Sequence, residues 1–328
     1  MLGIANDKDF VLTNYFVSKG LDLNSKDAAG NTAFNYVARS GNIDMMNKLI
    51  DRGVKYTDNA MLMAAQGGRQ GANGLPVFQY LEGLKLKPTA INANGETALF
   101  YVVRRPGQEE LINYFISRGV NVNDQDKDGN TAFMNAAGSN NDLNTLNLLV
   151  KPLKNINQTN AKGYSALTLS VRNNTAEVVK WLLDQGASVN IIDKNGDNLI
   201  THLLQSYSPR NAGAFDAKLK LLTDKGLNAA AMPQNGDSWY HIAVAKNDVT
   251  LMSRAKSLPV DINQKNKEGY TALHKAALIA KNTEVLKQLI DLGAKKDITT
   301  GFNETAYDLA RENDYLAKQN INLDFLKP

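Results

Sequence analysis

The chain has no cysteine among its 328 residues. That excludes disulfides, thiolate metal sites and a cysteine nucleophile, and it leaves the redox compartment open. A large charge excess is missing too: 37 Lys and Arg stand against 33 Asp and Glu, a net +4, which does not argue for nucleic acid or an anionic membrane as partner. No apolar run approaches the roughly 18 residues of a membrane span, and the N-terminal MLGIANDKDF lacks the basic and apolar regions of a signal peptide. Histidine occurs only three times, at His202, His241 and His274, and none belongs to an H-E-x-x-H pattern. There is no G-x-S-x-G elbow, and GGRQGANG at 67–74 lacks the Lys-Ser/Thr of a phosphate-binding loop. No pair of carboxylates is singled out by spacing. Catalytic, metal and cofactor-binding residues are therefore expected to be none.

What is present is repetition. GNTAFNYVA starts at Gly30, GETALFYVV at Gly95, GNTAFMNAA at Gly129, GYSALTLSV at Gly163, GDNLITHLL at Gly196, GDSWYHIAV at Gly236 and GYTALHKAA at Gly269. The unit is about 33 residues, with a double interval before Gly95 and about seven extra residues before Gly236. Two residues after each glycine stands a capping residue: Thr32, Thr97, Thr131, Ser165, Asn198, Ser238 or Thr271. A first helix is expected there, rich in paired small residues such as Ala136-Ala137 and Ala276-Ala277, which imply close contact between units. A second amphipathic helix follows, as in EVVKWLLD at 177–184, ending near a glycine suited to the left-handed conformation. Extended tails such as VNVN and VDIN lead to the next turn, where Asp27, Asp126 and Asp193 are placed to bond their own backbone.

This pattern resembles the ankyrin-repeat family, whose T-P-L-H-x-A motif recurs with a period of 33. Ala, Leu199 or Trp239 stands where the family prefers Pro. The resemblance implies an all-α ankyrin-repeat solenoid, each repeat a loop or β-turn plus two antiparallel helices, in a right-handed curved stack of about eight to nine repeats. It covers residues 1–328 as a single domain: a partial N-terminal repeat at 1–26, repeats over 27–299, and a C-terminal capping repeat at 300–328. Irregularities are expected at 54–91, where one turn is lost, and at 193–232, where QSYSPRNAGAF at 205–215 reads as a lengthened loop. Leu2–Asp9 looks like the end of a first helix and Phe10–Lys19 like a complete second one, so further repeats or another domain are expected upstream.

The family resemblance implies that His241 and His274, three residues after their caps, brace the turn against its neighbour. It also implies a non-catalytic scaffold that binds a protein on its concave face, or the targeting arm of a larger enzyme or toxin. On that face the turn tips offer Lys127, Lys162, Lys194, Tyr164 and Tyr270. Seven residues after their caps come Arg39, Arg104 and Arg172, with Arg105 beside the second, at intervals of about 20 Å if each repeat rises roughly 10 Å. Two roles compete for these arginines: contact with a partner, and offsetting the dipole of the helix each one ends. Replacing Arg104, Arg105 and Arg172 is expected to weaken binding and leave stability nearly unchanged. Arg69 and Arg210 on the inserted loops are further contact candidates. A monomer with no nucleic-acid partner is expected, of bacterial type, in periplasm or cytoplasm.

Overall fold

The computed structural model describes residues 11–28, 30–68, 73–319 and 321–328. Arg69 and Leu2–Asp9 lie outside them. Regular structure among the described residues is helical, apart from isolated bridges that close the necks of four turns, such as Gln125 to Thr131 and Ile192 to Asn198. The chain forms two compact units, 1–161 and 162–328.

Unit 1 holds α1 (Val11–Ser18), α2 (Ala33–Ser40), α3 (Ile43–Asp51), α4 (Asn59–Gln66), α5 (Leu75–Gly83), α6 (Leu99–Val102), α7 (Glu109–Ser117), α8 (Ala132–Ser139) and α9 (Leu143–Val150). From α2 onward these are helix pairs. First helices pack on first helices (α2 on α4, α4 on α6, α6 on α8), and second helices on second (α5 on α7, α7 on α9). Ala38, Ala64, Ala136 and Ala137 are fully buried where first helices meet, and Phe34, Phe78, Phe100 and Phe115 fill the space between rows.

Unit 2 repeats the scheme with α10 (Ala166–Asn173), α11 (Ala176–Asp184), α12 (Leu199–Ser206), α13 (Ala212–Asp224), α14 (Trp239–Ala245), α15 (Val249–Arg254), α16 (Ala272–Ile279), α17 (Glu284–Asp291), α18 (Ala306–Arg311) and α19 (Asp314–Lys318). First helices α10, α12, α14, α16 and α18 pack in succession. After α19 a short 3-10 turn at Asp324–Leu326 buries Leu326, while the Lys287 ammonium lies 5.4 Å from the Phe325 ring.

Sequence expectation and structure part at two places. Thr97 caps nothing: its hydroxyl is buried without a hydrogen-bond partner, and α6 is a single turn that starts two residues later. Pro106 disfavours helical backbone at Arg105 and so limits how far the chain can continue as helix beyond the turns at Arg104 and Arg105. The segment 205–215 is mostly not a loop. A 3-10 turn at Pro209–Asn211 runs straight into α13, and buried Tyr207 and Phe215 stack edge to face with centroids 5.0 Å apart. Trp239 is buried, with its indole N–H donating to the Leu251 carbonyl at 2.8 Å.

The turns depend on close approach. Gly163 has φ +83°, and a Cβ there would lie 2.8 Å from Asp193 Cα and 2.9 Å from Lys194 N. Gly186, at a helix end with φ +89°, would meet nothing within 4 Å. Gly163→Ala combines the left-handed penalty with a backbone clash and should lose about 2–4 kcal/mol, against about 1 kcal/mol for Gly186→Ala. Urea unfolding of the two variants checks the difference; equal losses would mean the turns are not in contact.

Candidate protein-interaction face

Each turn is built from its own side chain and then tied to the next. Asp126 Oδ1 accepts from the N–H groups of Asp128 and Asn130, Asp193 Oδ1 from Asn195 and Asp197, and Asn266 Oδ1 from Glu268 and Tyr270. In unit 1 the tips join by Lys127 N–H to Asn94 O (2.8 Å) and Ala161 N–H to Asp128 O (2.7 Å). In unit 2 the bonds are Lys194 N–H to Lys162 O, Gln234 N–H to Gly196 O and Lys267 N–H to Asn235 O, at 3.0–3.1 Å. Lys127, Lys162 and Lys194 therefore sit exposed on backbone that is fixed at both ends of the turn.

The arginines hold more of the fold than the sequence suggests. Arg39 Nε donates to Gly67 O at 2.9 Å, and the Arg105 guanidinium donates to Ala65 O and Gln66 O. Both close the C-terminus of α4, a neighbouring helix, and not the end of their own. Arg104 is nearly half exposed, 3.7 Å from Glu96 and 5.5 Å from the Tyr101 ring. Burial and the bond to Glu96 push the Tyr101 hydroxyl up to about 12. Arg210 is exposed on its 3-10 turn.

Arg172 and Tyr164 do come together. The guanidinium lies 5.4 Å from the Tyr164 ring, donates from Nη1 to His202 Nδ1 at 3.0 Å, and reaches Gln205 Oε1 at 3.4 Å. Arginine keeps its protons, so Nδ1 of His202 is the acceptor and Nε2 carries the hydrogen, facing Asp193 Oδ2 at 3.2 Å. Tyr270 is half-buried. Its carbonyl is taken by His241 Nε2 at 2.9 Å, leaving part of its ring outward.

His241 braces its turn against the next, whereas His274 bonds within its own turn and its Nε2 is buried without a hydrogen-bond partner. Nδ1 of His241 accepts from Ser238 N–H (3.1 Å) and Nδ1 of His274 from Thr271 N–H (3.1 Å), so each ring is neutral with its hydrogen on Nε2. His241 thereby bridges to the following turn through Tyr270 O. Burial depresses the basicity of His202, His241 and His274, against opposing pulls from Asp193, from Tyr270 O, and from the carbonyls of Ile298 and Glu304 respectively.

Several structural residues escape sequence reasoning. Amide or ammonium groups from the following segment close the ends of first helices. Asn73 donates to Ala38 O and Ala64 O, Asn140 to Val103 O, and Asn313 to Ala277 O and Ala280 O. Buried Lys218 donates to Val171 O, and Lys246 to Gln205 O and Tyr207 O. In the extended tails, Asn24, Asp58, Asn123 and Asn263 accept the backbone N–H of Lys55, Lys87, Lys154 and Lys295, about one repeat later. Among the described residues no cluster of three potential metal ligands occurs, and no helix is long and apolar enough to cross a membrane.

Family models agree with this architecture. Those described as ankyrin repeats (3 copies) match residues 70–160, 99–193 and 133–211, and those described as ankyrin repeats (many copies) match 4–50 and 254–310. The chain belongs to the ankyrin-repeat family. Its ankyrin repeats are similar to the human transient receptor potential cation channel subfamily A member 1 (24% identity over 66% of this chain and 19% of that protein). They are also similar to the E3 ubiquitin-protein ligase KEG of Arabidopsis thaliana (30%, over 43% and 8%) and to the nuclear factor NF-kappa-B p105 subunit of Gallus gallus (36%, over 37% and 12%). The aligned part of the chain thus spans less than a fifth of each of these relatives. Other similar proteins come from Latrodectus geometricus, Caenorhabditis elegans and a mimivirus, so the expectation of a bacterial type finds no support among them.

The three histidines give the ankyrin stack an acid sensitivity. Each is neutral when folded and has a depressed pKa, so below the ordinary imidazole value of 6.5 the unfolded chain takes up protons first. Stability is complete above that value and falls with pH, by up to about 1.4 kcal/mol per pH unit for each histidine. Urea midpoints measured between pH 8 and 5 check this. The Thr271 and Ser238 bonds predict a steep drop below pH 6.5, and a flat profile would contradict the neutral tautomers.

Proposed function

We propose that the chain is a non-catalytic protein-binding module, acting as a monomer, whose concave side carries the contact residues. The observation that supports this is a division of labour among polar groups. His202 Nδ1, His241 Nε2 and the Asn140 amide are engaged within the stack, whereas the side chains of Lys127 and Lys194 are exposed on turns held by inter-repeat backbone bonds. Rigid backbone presenting variable side chains lowers the ordering penalty of association. Arg104 and Tyr164 add an exposed cation and a stacked ring, side chains suited to the centre of an interface. Arg39 and Arg105 act first as helix caps and contribute to contact only through their exposed edges.

A second reading has its own support. The relatives are much longer proteins of which the matched repeats are a small part, which favours a targeting arm for an activity carried elsewhere. Both readings need the same outward face.

The triple replacement of Arg104, Arg105 and Arg172 is a poor test, because Arg105 and Arg172 hold neighbouring groups and their loss lowers stability. Lys127→Glu, Lys162→Glu and Lys194→Glu together leave every backbone bond of the turns in place. Affinity capture with the wild-type chain should retain a protein whose affinity drops at least tenfold for this variant at an unchanged melting temperature. Unaltered affinity would remove these tips from the interface.

A further inference from the structure

Building on the binding face just proposed, one place in unit 2 has a shape and chemistry of its own. Between α12 and α14 lies an open cavity of about 350 Å³. It exists because the seventh position after the cap, which carries a long side chain in Arg172 and Gln205, is Ala245 in this repeat. The neighbouring Lys246 does not fill the gap, since its ammonium is turned to the carbonyls of Gln205 and Tyr207 at 2.9 and 3.2 Å. Ile242 and Ala245 form an apolar floor, with Asp197 and Gln205 on one side and Asn235 and Asp237 on the other.

The two carboxylates differ. Asp237 is already answered by Lys275 Nζ at 2.7 Å and Asn266 Nδ2 at 2.9 Å; burial alone would raise its pKa, and these bonds hold it below the usual range. Asp197 forms no ion pair among the described residues, and its side chain has only the long 3.4 Å contact with Gln205 Nε2. Its backbone N–H, by contrast, is fixed on Asp193 Oδ1, so the carboxylate stands at the cavity wall on a rigid turn.

We propose that this cavity receives an arginine side chain from an extended segment of a protein partner. The three-carbon stem lies on Ile242 and Ala245. The guanidinium, with five donors in a fixed fork, meets the Asp197 carboxylate and the amide oxygens of the walls. Of the lysines close by, Lys275 is paired with Asp237, and the Lys246 ammonium is turned to the carbonyls of Gln205 and Tyr207, which leaves Asp197 as the carboxylate without an ion pair among the described residues.

Titration of the isotope-labelled chain with N-acetyl-L-arginine N-methylamide, followed by NMR, reads the cavity without any partner. The side-chain amide signals of Gln205 and Asn235 and the backbone signals of Asp197, Ile242 and Ala245 should shift together with a single millimolar dissociation constant. The citrulline counterpart, of the same shape but neutral, should bind at least tenfold more weakly, and Asp197→Asn should weaken arginine by at least tenfold. Ala245→Leu, at an exposed helix position, blocks the floor without touching the turn and should abolish the shifts. Equal binding of citrulline, arginine binding unaffected by Asp197→Asn or Ala245→Leu, or shifts absent from these residues would each overturn the proposal. Such a failure is separate from that of the turn-tip variant, which reports on the face as a whole.

Discussion

The contact on which the rest depends is backbone on backbone, where one turn lies against the next. Gly129 would place a Cβ 2.9 Å from Ala161 N, and Gly163 and Gly236 are equally tight against the turns that follow them. Only hydrogen fits there. That closeness lets the tip N–H groups reach the preceding carbonyls, and it sets the spacing at which His241 can span to Tyr270 O. A single helix pair cannot satisfy these groups alone, so each repeat is completed by its neighbours within its unit.

The same logic runs along the helix ends. A short helix leaves its last carbonyls without partners, and here they are met by donors from the adjoining repeat: Asn140, Asn313, Lys218, Arg39 and Arg105. Those donors, which look reactive or adhesive on paper, are thereby occupied. Buried Asp193 and His202 with half-buried Arg172 have the residue types of a catalytic relay, yet the guanidinium lies over the Tyr164 ring and the carboxylate builds a turn. In the binding role proposed above, contact falls to side chains that project from the turns and to gaps between first helices.

Much of the fold was legible because its determinants are local. The glycine, the cap two residues on and the apolar spacing all fall within one repeat, so helix positions could be read directly. Thr97 misled because its motif reads like that of the other caps, although its hydroxyl is left without a hydrogen-bond partner. The segment 205–215 misled because its glycine, proline and asparagine suggest a loop, whereas the buried Tyr207 and Phe215 pin it as helix. The site was less legible. The acceptors of Arg39 and Arg105 lie 28 to 40 residues away, and nothing in the local sequence separates a capping asparagine such as Asn140 from a surface one. Repeats turn distant residues into neighbours, and a single sequence shows that only in register.

The most direct test of this account is amide hydrogen exchange of the turn tips in the native state. The N–H groups of Lys127, Ala161, Lys194, Gln234 and Lys267 belong to exposed loops, yet each donates to a neighbouring repeat. Their protection should approach that of the first-helix amides they adjoin, because they open only when neighbouring repeats separate. Exchange at the rate of unbonded loop amides would contradict it, since the turns would then be independent and the polar groups behind them free for other work.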